Sequence, residues 1–196
     1  MNSRIIFGVL IALVLAALAG NFYLRPIVEG KNLPPEFQQA REDGSLVSKK
    51  IVFLSNQALA GLEQIGHFDE KKQYTKALEL VRLELKRNED ARKEALLLSS
   101  HLNTMSIYLE QISPSRARSL AIEAIGSEVS LVNHLITYHG LLSDLFQTLE
   151  EKFEGKTIDA ARVKSLLEAV NSEIRVINDL NQRAIRTLES FDSFYK

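Results

Sequence analysis

An all-α protein is the fold class this sequence predicts: an N-terminal single transmembrane helix, a flexible linker rich in proline and glycine, then an antiparallel up-and-down four-helix bundle with long helices. Three observations predict it. An uncharged apolar run, Ile5 to Leu24, lies between Arg4 and Arg25. Three of the four prolines then fall between Pro26 and Pro35, with Gly30 among them. Beyond Gly44, apolar residues recur at alternating spacings of four and three, the pattern of helices packed nearly parallel or antiparallel. The chain divides accordingly into a membrane anchor at 1–24, a linker at 25–45 and a bundle domain at 46–196.

The run from Ile5 through Leu10 and Leu15 to Leu24 contains no charge, and twenty residues at ~1.5 Å each match the ~30 Å hydrocarbon core of a bilayer. Phe22 and Tyr23 fall at its far end, where amphipathic rings favour the headgroup layer. Pro26 stops the helix from running on. A cleaved export signal is the competing reading, with Ala17-Leu18-Ala19 as the cutting site before Gly20. Either reading carries the remaining residues across the membrane. The expected location is the cell membrane of a bacterium, single-pass, N-terminus inside and bundle outside; the alternative is secretion after cleavage.

Composition narrows the function classes. Formal net charge is −1, so no general attraction to nucleic acid is expected. Cysteine is absent, which removes disulfides, thiolate metal sites and cysteine nucleophiles together.

The bundle helices are expected near 46–66, 70–112, 114–154 and 158–194, the first with room to extend back to Pro35. Val47, Ile51, Leu54, Ala58, Gly61 and Ile65 mark the first seam, with Gly66 as its stop and Asp69 as a cap for the next helix. The second shows Tyr74, Leu78, Val81 and Leu85, then Ala91, Ala95, Leu98, Leu102 and Met105. Between Leu85 and Ala91 the heptad slips by one, predicting local overwinding or a break near Asn88. Ser113-Pro114 opens the third helix, whose stripe of Val132, Leu135, His139, Leu142, Phe146 and Leu149 is widened by Leu131, Tyr138 and Leu145. Gly155 and Thr157 separate it from the fourth, seamed by Val163, Leu167, Val170, Ile174, Ile177, Asn181, Ala184, Leu188, Phe191 and Tyr195.

Candidate sites are sparse. None of His67, His101, His134 and His139 forms the Glu-x-x-His or His-x-x-x-His spacing that aims two ligands from one helix face, so no metal and no cofactor is expected. His139 and Asn181 lie on core seams and are candidates for a polar core position or ligand contacts. The mixed-charge stretch from Lys86 to Glu94 reads as a solvated helix face. No Ser/His/Asp constellation, glycine-rich phosphate loop or paired carboxylates occur, and an enzyme is not expected. In outline the layout resembles the periplasmic four-helix sensor domains of chemotaxis receptors and the LemA-type membrane-anchored helical proteins, but no second span follows the last helix here. No motif of either family is present, so no functional position is carried over.

The expectation is therefore a membrane-anchored interaction or scaffold module, touching the bilayer through its N-terminal helix and binding a protein partner or a second copy. The alternative is a ligand-binding or accessory sensor domain. Phe191, Phe194 and Tyr195, three aromatics at a chain end, are the expected partner contacts, because such a cluster frays unless it packs against something; packing onto the bundle's own end or touching the lipid headgroups is the alternative.

Overall fold

Four long helices make up residues 33–195, the part of the chain that the computed structural model describes. They are α1 (Pro35–Glu70), α2 (Tyr74–Ile107), α3 (Ser115–Phe153) and α4 (Ala160–Asp192), and no strand occurs among the described residues. The longest, α3, has 39 residues, a rod of ~58 Å at ~1.5 Å per residue. Ile5, Leu10, Leu15, Phe22 and Tyr23, the expected anchor, lie outside the described residues. No helix among those described is long and apolar enough to cross a membrane.

Successive helices run antiparallel, and both ends are fixed by named contacts. At the end where α1 begins, Arg41 forms a bidentate pair with Asp192 of α4 at 2.7 and 2.9 Å. There Phe37 also meets Phe191, with ring centroids 6.0 Å apart. At the other end Arg82 of α2 bonds Glu150 and Glu154 of α3, and Lys152 pairs with Asp69 of α1. The close backbone faces are α1 on α2, α2 on α3 and α3 on α4. Small residues allow them: Gly44 and Gly61 on α1 and Ala77, Ala91 and Ala95 on α2 are all buried.

The helix ends differ from the sequence expectation in an instructive way. Residues 35–45, expected as linker, are helical, because Phe37 and Ala40 are buried against the core and draw the helix back to Pro35. Gly44 and Gly66, expected as helix boundaries, are buried inside α1. The turn after α1 uses no glycine. Lys72 takes the positive φ of 56°, while Lys72 and Gln73 N–H groups donate to the carbonyls of Asp69 and Phe68. That is the Schellman arrangement. The turn after α3 repeats it with Gly155 at φ 85° and donations from Gly155 and Lys156 to Lys152 and Glu151. Asp69 belongs to the last turn of α1 and caps nothing; Pro114 stands before the first residue of α3, not within it. Asp159 caps α4 by accepting from the Ala161 N–H at 2.8 Å.

The fourth seam holds at Val163, Leu167, Val170, Ile174, Ile177, Asn181, Ala184 and Phe191, all buried, while Thr187 is buried in place of the expected Leu188 and Tyr195 is partly buried. The second does not hold. α2 runs unbroken, and its buried row is Ala77, Val81, Glu84, Asn88, Ala91, Ala95, Leu98, Leu102 and Met105. The heptad never slips; two of its core positions carry polar side chains.

Candidate functional site

Those two residues begin a polar layer inside the bundle. Glu84 is 0 % exposed, Asn88 1 % and His139 0 %. The Asn88 side-chain amide donates to the His139 carbonyl at 2.7 Å and to Ser143 Oγ at 2.8 Å. Its oxygen lies 2.7 Å from His139 Nδ1. Since that amide oxygen only accepts, Nδ1 carries the proton and Nε2 is left with its lone pair. Burial holds the His139 imidazole down at about 4, and the Arg92 guanidinium adds to the effect. The ring is therefore neutral at pH 7.

Glu84 lies one helical turn from Asn88 on the same face of α2. One carboxylate oxygen accepts from Arg87 at 2.6 Å, and the other is buried without a partner among the described residues. Burial pushes this carboxyl above the ordinary range, and Arg87 opposes the rise. Gly61 of α1 makes the room. A Cβ placed there would stand 2.5 Å from the Glu84 Cδ and 2.6 Å from its Cγ.

Toward the other end, Glu128 of α3 is partly buried. Desolvation raises its carboxyl to about 7, against the pull of Arg41. The bonds of His134 to Glu173 and Thr187 to Glu123 set the α3–α4 register, in which Asn181 is level with Glu128. Asn181 is buried with its side-chain oxygen unpaired.

The structure thus places both expected polar core residues inside the bundle but does not bring them together. The level of His139 falls near Val170 on α4, about three turns from Asn181, or ~16 Å. His139 is paired instead with Asn88, which sequence reading had assigned to a solvated face. The signal that would have found Asn88 was the heptad itself, continued through polar positions.

Phe191, expected at a partner surface, is 0 % exposed and belongs to the core. Its ring packs on Phe37 and Tyr195, and the Arg41 guanidinium sits 5.6 Å from its centroid. The bundle's own end supplies packing for two of the three terminal aromatics, Phe191 and Tyr195. Tyr195 is tied back too, its hydroxyl donating to the Ser113 carbonyl at 2.8 Å. Phe194 alone of the three remains exposed, at 41 %.

Other charged side chains pair at the surface. Lys93 pairs with Glu89 at 3.1 Å, and Glu154 pairs with Arg82 and Lys156. A wide, shallow groove of about 540 Å³ along α4 is lined by Asn178, Asp179, Gln182, Arg183 and Arg186. It contains no nucleophile–base pair. Among the described residues no group of three metal-type side chains converges. No family model matches this chain, and searches of curated proteins and of solved structures likewise found no match.

A pH effect follows from Glu128. A carboxyl with a folded-state pKa above its unfolded value contributes most at low pH, and that contribution is lost as pH rises through the folded pKa. The window runs from the unfolded value of 4.5 to about 7. Glu128→Gln, permanently neutral, is expected to be more stable than the parent at pH 8 by about 1–3 kcal/mol, a range reduced for the residue's remaining exposure. At pH 4 the two should be equal. Urea melts at the two pH values check this, and an offset independent of pH would refute it.

Proposed function

We propose that this protein is a membrane-tethered, extracytoplasmic helical bundle that binds a protein partner and has no catalytic activity. The observation that carries the reading is an exposed apolar surface spread over the outer side of α1 and α2. Leu46 and Phe53, 62 % and 60 % exposed, stand seven residues apart and so share one face of α1. Lys50 lies between them and pairs with Glu94 across the groove. Leu97, three residues beyond Glu94, and Leu83, fourteen residues before Leu97, are both exposed and share a face of α2. Large apolar side chains around a central ion pair resemble the composition of an interface core with its polar anchor. The tether is the uncharged run Ile5–Leu24, and the N-inside orientation rests on its resemblance in shape to an export signal. The non-catalytic reading draws on the burial of the polar layer, in which the His139 imidazole and the Glu84 carboxylate are both 0 % exposed.

The runner-up, a ligand-binding or sensor module, draws on the buried polar layer. It needs His139 and Asn181 to line one chamber, and their separation along the bundle speaks against that. The discriminating experiment places a photo-crosslinking residue at Phe53, Leu97 or Ile122 of the full chain in native membranes. Positions 53 and 97 should capture the same protein, while Ile122, exposed on α3, should not. Equal labelling at all three positions would remove the docking face, and recovery of the chain only from the soluble fraction would remove the tether.

A further inference from the structure

Three side chains near the middle of the bundle carry hydrogen-bonding atoms that no described protein group meets. They are Ser55 Oγ on α1, and Tyr138 OH and His139 Nε2 on α3. All three residues are more than nine-tenths buried. Helix register puts them at one level. The Lys50–Glu94 pair and the seating of Glu84 on Gly61 align α1 with α2, which sets Ser55 level with Asn88. Asn88 in turn bonds His139, and the Tyr138 ring meets the His139 ring edge-on, with centroids 5.0 Å apart.

The chemistry of the three atoms is complementary to one small molecule. Nε2 accepts only, because Asn88 has fixed the proton on Nδ1. The two hydroxyls each donate and accept. Desolvation pushes the Tyr138 phenol up, so it is a neutral donor throughout the working range. The set does not suit a metal ion, since it offers one imidazole and two neutral hydroxyls. We propose that Ser55, Tyr138 and His139 bind a single internal water molecule, which donates to His139 Nε2 and Ser55 Oγ and accepts from Tyr138 OH. Buried waters make about three such bonds and occupy sites of this polarity. The water joins α1 to α3 at mid-bundle, a second link beside the Lys152–Asp69 pair at the bundle's end.

The test is a water-selective nuclear Overhauser experiment on the full chain in detergent micelles, with the histidine rings isotope-labelled. A cross-peak between a long-lived water and the His139 ring proton beside Nε2 is expected. The Nε2 nitrogen resonance should also lie upfield of a free imidazole lone pair. In Ser55→Val, where one methyl group replaces the hydroxyl and a second is added, the cross-peak should be lost. Absence of the peak in the folded parent protein, with the ring assigned, overturns the proposal. So does scalar coupling showing Tyr138 donating directly to Nε2, and so does a cross-peak that persists unchanged in a folded Ser55→Val. The parent measurement stands alone if the variant does not fold.

Discussion

Phe191→Ala is expected to destabilise the bundle by about 3–5 kcal/mol, the range for removing a fully buried aromatic ring. The ring is 0 % exposed and lies between Phe37, Tyr195 and the Arg41 guanidinium. Its loss therefore opens a cavity where α1 and α4 meet. It also removes the surface on which Arg41 lies while reaching Asp192. Truncation after Ser190 should do at least as much, because Asp192 and the Tyr195 bond to Ser113 go with it. Thermal melts of both variants provide the measurement. A melting temperature unchanged in either would mean that the C-terminal turn is a surface appendage, as its sequence position alone suggests.

The second large effect is expected at Gly61. Gly61→Ala places a methyl group 2.5 Å from the Glu84 side chain, and Glu84 is enclosed on every side, so the strain passes into the α1–α2 contact. Overpacking of this kind costs about 1–3 kcal/mol. Because the obstacle is one identified side chain, the loss should be conditional. In a Glu84→Ala background the added methyl occupies freed space, and Gly61→Ala should become neutral or favourable. A double-mutant cycle in denaturant reads this coupling directly. Simple additivity would place the conflict elsewhere and leave Gly61 needed only for its small volume.

These two positions also show what the sequence could and could not convey. The all-α class, the number of long helices after residue 33, the seam of α4 and the Gly155 turn were readable, because each rests on periodicity or on local backbone chemistry. The seam of α2 was misread. Glu84 and Asn88 are polar, so a search for apolar recurrence followed Tyr74, Leu78 and Leu85 instead and rejoined the buried row only at Ala91. Gly44 and Gly66 were mistaken for boundaries for a related reason. A glycine that ends a helix and a glycine that admits a neighbouring helix look alike until the partner is known. His139 was identifiable as a core residue from its place in the stripe of α3. Its partner was not, since the pairing with Asn88 joins residues 51 positions apart and depends on the α2–α3 register. Phe191 was correctly placed on the seam, but its neighbours Phe194 and Tyr195 suggested a surface cluster. Only the position of Phe37, drawn in by the early start of α1, shows what covers it.

That early start determines how the bundle bears mechanical load. Tension entering the chain at Leu33 and directed away from the bundle acts along the axis of α1, not across it. A helix of 36 residues loaded in this way must slide along α2 throughout its ~54 Å length, so its side-chain contacts are strained together and not one after another. Arg41, within the first two turns, passes part of the pull to Asp192 at the far end of the sequence. The first and last helices are thereby loaded in the same direction from the same end. Tension entering a helix through its middle would peel its contacts one after another; axial tension on α1 strains them together.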